Sequence, residues 1–357
     1  MIEEKKAPWA NDAIEIEIPG KDNNLDPQFE FDNTLLPEEI INEIEGIKEQ
    51  ENESGLFDIH TANEVIELAI NQPDPVQLYS PLILENEFII CFADTGVGKT
   101  VYCSQIAMEI ASKGYVTLFL DLELSRKQFQ KRYTSEDGVP YKLPNNLYRL
   151  DFARLKKIPK GITYEDYFFD SLIYAIKKTG AKVIFLDNLT KLAAGDTDSA
   201  KAAIPILERL NELKANEGLT IIVLEHNKKV DTTRPIHLND LQGSKMKSNL
   251  VDAVFTIGRS VKDKNLRYIK QIKVRDGEVI YDTENVKVCE LSKSNGYLSF
   301  TDIGFESEFE HLKQPTENDR DNLIEKVKEL SGKRKSQREI SFELGISLGA
   351  VNKYLKI

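Results

Sequence analysis

The 357-residue sequence contains only three cysteines, Cys91, Cys103 and Cys289. Their spacing fits neither a zinc-binding pair nor a redox dithiol, so reduced thiols in a core are expected. Long apolar runs are missing: nothing approaches the roughly 20 residues of a membrane span. Met1-Ile2-Glu3-Glu4-Lys5-Lys6 carries no apolar targeting core. Both absences argue against a membrane role and make the cytoplasm the expected location. No internal repeat is present. A basic balance is lacking too, since the formal net charge is −12. That figure would count against a nucleic-acid partner if the charge were spread evenly, and it is not. Residues 1–60 hold 17 Asp and Glu against four Lys and Arg, which leaves the remainder close to neutral. The last 27 residues hold six Lys and Arg against two acids, so a global balance misleads about local surfaces.

What the sequence does have is Ala93-Asp94-Thr95-Gly96-Val97-Gly98-Lys99-Thr100, set between the apolar run Phe88-Ile89-Ile90-Cys91-Phe92 and an amphipathic stretch opening at Val101. Strand, Gly-rich loop and helix in that order make a phosphate-binding loop. Small residues let the backbone N–H groups of Asp94, Thr95, Gly96, Val97, Gly98, Lys99, Thr100 and Val101 curl toward phosphates. Lys99 reaches the β- and γ-phosphates, and Thr100 offers its hydroxyl to Mg²⁺. Ala93 stands where such loops usually start with glycine, a position that does not demand positive φ. Val183-Ile184-Phe185-Leu186-Asp187 is a second apolar strand ending in a carboxylate, where an NTPase places the acid of its metal shell. Asn188 follows it rather than a glutamate, so the hydrolytic base must come from elsewhere.

Around these motifs apolar strands at residues 87–92, 115–120, 147–151, 182–187, 219–224 and 253–257 alternate with helices, the pattern of a mostly parallel sheet. Period-two alternation at 266–274, 278–281, 286–291 and 296–300 predicts β-hairpins that extend the sheet at its C-terminal edge. The expected organisation is an acidic flexible arm at 1–58 with one possible helix at 37–50, an α/β nucleotide-binding domain at 59–301 opening on a helix at 62–70, a linker at 302–320 and a small all-α module at 321–357. In that module Ile340, Leu344, Ile346, Val351 and Leu355 form an inter-helix core, Gly345 the turn and Ser347 a helix cap, which fits a helix-turn-helix. Such modules bind duplex DNA or serve as protein docking pieces. Lys335, Asn352 and Lys353 are its candidate DNA contacts.

The stretch Thr117-Leu118-Phe119-Leu120-Asp121-Leu122-Glu123-Leu124-Ser125 carries a more specific resemblance. It is similar to the second core strand of the RecA-fold helicases, a group that includes DnaB-type replicative helicases, RadA-type recombination ATPases and RepA-type plasmid helicases. The resemblance implies a RecA-like core and gives Glu123 the task of orienting the attacking water, with Asp121 as second choice. Leu224-Glu225-His226-Asn227-Lys228-Lys229 resembles the polar sensor of the same group, with His226 on the γ-phosphate. Lys273-Val274-Arg275-Asp276-Gly277 resembles the Lys-x-Arg-x-Gly element that one subunit inserts into its neighbour's site. Lys273 and Arg275 would then be cationic fingers acting in trans, and the active form a homo-oligomeric ring or filament, with a hexamer expected. Between His226 and Val254 the resemblance implies loops that track single-stranded DNA, with Lys229, Lys245 and Lys247 as contacts. No aromatic interleaves with these lysines, so base stacking has no support.

The resemblance covers roughly residues 60–295. It implies ATP and Mg²⁺ as cofactors, DNA as partner and a motor or remodeller for the replication of a mobile element. Two alternatives stand beside it. A RadA-like recombination ATPase would bring a zinc finger and a protease-like domain that this sequence lacks. A nucleotide-switched, sequence-specific DNA-binding regulator would make the C-terminal module the working part. Deviant-loop partition ATPases are disfavoured because no lysine occurs in residues 93–98.

Overall fold

The computed structural model describes residues 59–70, 72–151, 158–188, 200–227, 231–314 and 317–357. The expected arm and its helix at 37–50 lie outside them. The chain divides into a unit spanning residues 12–74 and a larger one that contains residues 75–357. In the first, α1 (Ala62–Ala69) forms where expected, started by a capping box in which Thr61 and Glu64 satisfy each other's backbone N–H.

The larger unit is built on a nine-stranded sheet. After a two-stranded hairpin, β1 (Gln77–Tyr79) and β2 (Ile83–Leu84), come β3 (Phe88–Ala93), α2 (Lys99–Ser112), β4 (Thr117–Asp121), α3 (Arg126–Arg132), β5 (Leu147–Leu150), α4 (Tyr164–Thr179), β6 (Val183–Asp187), α5 (Ala200–Glu217) and β7 (Thr220–His226). Then follow α6 (Ser244–Leu250), β8 (Ala253–Arg259), β9 (Leu266–Lys273), β10 (Val286–Ser294) and β11 (Tyr297–Glu306). The strand order is β11-β10-β9-β8-β3-β7-β6-β4-β5. From β5 to β8 the strands pair in parallel, and β9, β10 and β11 add antiparallel hairpins on the far side. This is the expected α/β architecture.

Pleating sorts β3 between two cores, and all six of its residues are buried. Ile89, Cys91 and Ala93 face Tyr102, Cys103 and Ile106 of α2, whereas Phe88, Ile90 and Phe92 join the core containing α4 and α5. With helices on both faces the central strands must be apolar throughout, which is why they read as continuous runs instead of alternating ones. All three cysteines are buried and free. Among the described residues no helix is long and apolar enough to cross a membrane.

Two expectations about the C-terminal half need correction. Residues 278–281 are not a strand: Gln271 of β9 reaches over with its side-chain carbonyl to accept from the N–H groups of Ile280 and Tyr281 (2.8 and 2.9 Å), replacing ladder bonds. The boundary drawn at 302 falls inside β11, which runs to Glu306. The segment beyond it is fastened to the core, because fully buried Glu308 pairs with Lys270 at 2.5 Å and accepts from Ile236 N at 2.8 Å.

Three helices close the chain: α7 (Glu317–Gly332), α8 (Gln337–Leu344) and α9 (Leu348–Tyr354). Ser336 and Glu339 form a capping box for α8, Gly345 ends it with φ 63°, and Ser347 caps α9 by accepting from Ala350 N at 3.1 Å. Val327, Leu330, Ile340 and Val351 form their shared core. Asn239 of the sheet domain donates to Phe342 O of α8 at 2.9 Å.

Candidate active site

Parallel strands aim their C-terminal ends at one edge of the sheet, and the candidate site is assembled there. The phosphate loop leaves β3 at Ala93 and enters α2 at Lys99. Ala93 is an ordinary buried strand residue, whereas Gly96 and Gly98 have φ of 70° and 110°. At Gly98 glycine is obligatory on two counts, since a Cβ would also lie 2.9 Å from Phe300 Cζ.

Lys99 lies back across the site, donating from Nζ to Glu225 O at 2.5 Å and standing 3.3 Å from His226 Nδ1. The Thr100 hydroxyl donates to Asp187 Oδ2 at 2.6 Å. Burial, together with the neighbouring charge of Glu123, pushes the Asp187 carboxyl up to about 6 against the pull of Thr100 and Lys99. A hydroxyl and a buried carboxylate that lacks a full counter-charge are hard oxygen donors fit for Mg²⁺. Among the described residues no cluster of three or more His, Cys, Asp or Glu is arranged to hold a metal alone. The residues present therefore suit a cation that arrives with phosphate oxygens.

Glu123 stands one turn beyond β4, and its placement is explained by Asp121. The buried Asp121 carboxylate accepts from Glu123 N at 3.0 Å and Leu124 N at 2.9 Å through one oxygen, and from Arg149 Nε at 3.2 Å through the other. Asp121 is thus fully engaged in shaping the turn, which removes it as second choice for the base. Asn188 at the end of β6 donates to Glu123 Oε1 at 2.7 Å and stands 3.4 Å from His226 Nε2. Burial first, and then the charge of Lys99, hold His226 below its ordinary range, leaving the imidazole neutral at pH 7. Glu123, Asn188, His226 and Lys99 therefore form one chain of polar contacts, adjoining the Thr100–Asp187 pair. The sequence had offered Asn188 only as a missing glutamate.

Lys273 and Arg275 lie elsewhere. Because β9 runs antiparallel to β8, Lys273 pairs with Val254 at the start of β8, while Ala93 stands opposite Ile257 near its end. The two cations are thus at the opposite edge from their own phosphate loop, on the order of 15 Å away along the strands. Lys273 donates to Ser248 O and Val251 O at 2.7 and 2.6 Å, capping α6. Arg275 pairs with Asp252 at 2.6 Å and remains more than half exposed.

Of the expected DNA contacts, Lys229 lies outside the described residues, and Lys245 is on α6 with its side chain outside them. Asn352 and Lys353 are exposed on α9, and Lys335 pairs with Glu343. Lys247 is corrected. It is 4% exposed and joined to buried Glu225 at 2.6 Å, so it braces the C-terminal end of the sensor strand instead of facing a solvent partner. A Lys247→Ala protein is expected to lose about 3–5 kcal/mol of stability, because Glu225 would stay buried without its counter-charge. Denaturant unfolding checks this, and a loss under 1 kcal/mol would return Lys247 to the surface-contact class.

Two further residues carry no sequence signal. Arg267, 5% exposed, donates from Nε to Val97 O at 2.8 Å. Arg259 donates to Gly96 O at 2.9 Å and Thr95 O at 3.3 Å.

Residues 57–232 match the family model described as an AAA domain. A solved DnaB-like replicative helicase is similar over 73% of this chain and 71% of its own, at 16% identity and a TM-score of 0.50. A KaiC-like protein from the hyperthermophilic archaeon Pyrococcus horikoshii is similar over 61% of this chain and 91% of its own, at 16% identity and a TM-score of 0.45. No curated protein matches. At such identity the helicase likeness is one of fold. Together with the phosphate loop it makes this chain a P-loop ATPase of the RecA fold.

Proposed function

We propose that the chain is an ATP-hydrolysing, DNA-associated motor or remodeller of the RepA/DnaB-like helicase type, working as a ring or filament of identical subunits. A hexamer is the expected ring, and replication of a mobile element the expected setting. The observation that carries the proposal is the split of the catalytic parts between two edges of one sheet. Glu123, His226, Lys99, Thr100 and Asp187 gather at the C-terminal edge, while Lys273 and Arg275 lie at the other edge, out of reach of their own phosphate loop.

In this reading the phosphate loop binds ATP. Asn188 holds the Glu123 carboxylate that orients and deprotonates the attacking water, and Lys99 leaves Glu225 O for the phosphates. Thr100 and Asp187 would hold Mg²⁺, which when bound neutralises phosphate charge. His226, neutral and touching both Lys99 and Asn188, relays the state of the γ-phosphate along β7 toward residues 228–245, where Lys229 and Lys245 meet single-stranded DNA. The α7–α9 unit would contact duplex DNA through Lys335, Asn352 and Lys353.

Steady-state ATPase activity measured with no DNA, single strands or duplex tests this. Single strands are expected to raise turnover at least several-fold, since a ligand bound at the catalytic edge can complete the catalytic arrangement. The exposed Asn352 and Lys353 favour a second reading, an ATP-switched duplex-binding regulator. Slow turnover indifferent to single strands, with tight binding of duplex, would select it.

A further inference from the structure

We propose that Arg267, assisted by Arg259, is a positioning residue that presets the phosphate loop for anions. This rests on the reading of that loop as a nucleotide site. The two arginines take three consecutive carbonyls from one side: Thr95 O and Gly96 O by Arg259, Val97 O by Arg267. In a planar trans peptide the C=O and N–H point in opposite directions. Fixing these carbonyls toward the arginines therefore turns the N–H groups of Gly96, Val97 and Gly98 the other way, into the concavity where phosphate oxygens sit. A guanidinium on the carbonyl also polarises its peptide, making the N–H a stronger donor.

A purely structural role explains the arrangement less well. Arg259 and Arg267 are direct cross-strand partners in the β8–β9 ladder, and like charges directly opposite one another destabilise a sheet. Burial, and then the charge of Arg259, hold the Arg267 guanidinium below its usual range. Arg267 spends its remaining bonds on Lys264 O and Leu266 O at 2.8 Å, so its plane is fixed. Two fixed positive charges directly behind a loop are a local cost that a bound polyphosphate offsets.

The test is fluorescence titration of the full chain with mant-ADP and mant-ATP, with thermal unfolding of the nucleotide-free protein alongside, for the parent, Arg267→Lys, Arg259→Ala and Lys99→Ala. Arg267→Lys keeps the charge and loses the planar fork. It and Arg259→Ala are each expected to weaken nucleotide binding about 10-fold, the scale of one strong charge-assisted hydrogen bond, the Arg259 bond to Thr95 O being long at 3.3 Å. KM should rise in parallel while kcat stays within about twofold, because the loop grips the same phosphates before and during reaction. A lowered Tm with nucleotide affinity unchanged within about twofold would mean that the arginines only hold the fold together, which overturns the proposal. If Arg267→Lys does not fold, the exposed Arg259 carries the test alone. Lys99→Ala separates the two levels. Unchanged affinity there overturns the nucleotide site itself, whereas loss there with none at the arginines overturns only their positioning role.

Discussion

An Arg275→Ala protein is expected to hydrolyse ATP about 10³-fold or more slowly than the parent, the range seen when an arginine finger is removed. It should recover activity on mixing with an equal amount of Glu123→Gln protein. Neither variant alone can build a complete site. In a mixed ring, a subunit with intact Glu123 but no Arg275 receives its finger from a neighbour with the opposite defect, so roughly a quarter of the interfaces are whole. Recovery is predicted because Arg275 cannot turn back on its own phosphate loop from the far end of β8 and β9. Its pairing with Asp252 is no obstacle. The Arg275 side chain is more than half exposed there, and exposed ion pairs hold weakly. Asp252 also keeps Lys214 and the N–H of Phe88 as partners, so the substitution leaves no buried charge unpaired. Measuring turnover against mixing ratio decides the matter. Activity that only averages the two single variants would rule out completion in trans.

Glu123→Gln should separate chemistry from binding. A positioned general base contributes about 10²–10⁴ in rate, and turnover should fall by that much while nucleotide affinity changes little. The amide is nearly isosteric and still accepts from Asn188 Nδ2 through its own carbonyl, so the 2.7 Å contact that orients the side chain survives. The turn itself depends on Asp121 and Arg149, not on Glu123. Asp121→Asn is the informative companion. It weakens the anchoring of the turn without touching the base, so it should lower both stability and turnover, whereas Glu123→Gln lowers turnover alone. Retention of full activity by Glu123→Gln would reassign the base.

Much of the site could be read from the residues because strand ends in a parallel sheet obey a simple rule. An apolar run that stops at a carboxylate or an imidazole delivers that group to one edge, so Glu123, Asp187 and His226 converge with Lys99 as their positions imply. Roles fixed by pairing were not legible in this way. Lys247 read as a DNA contact and Lys273 as a cationic finger, yet one is buried against Glu225 and the other donates to carbonyls at the end of α6. Partners that lie 22 to 25 residues away in sequence leave no local trace. The arginines behind the phosphate loop were invisible for the same reason, since Arg259 and Arg267 reach residues 163 to 170 positions distant. Residues 278–281 misled differently. Val279, Ile280 and Tyr281 are strand-favouring residue types, but the side chain of Gln271 accepts from the N–H groups of Ile280 and Tyr281 in place of a strand backbone.

β9 links two of these stories. It begins at Leu266, beside the arginine under the phosphate loop, and ends at Lys273, two residues before Arg275. It is flanked by β8 and β10, so it cannot slide by one residue without reversing the face of every side chain. Any movement of it would therefore carry the whole strand. If the fingers serve the adjacent subunit, each protomer then has a lever roughly 25 Å long with one end on its own nucleotide and the other in its neighbour's. Firing in such a ring would pass in one direction, with the order set by how the chain is folded.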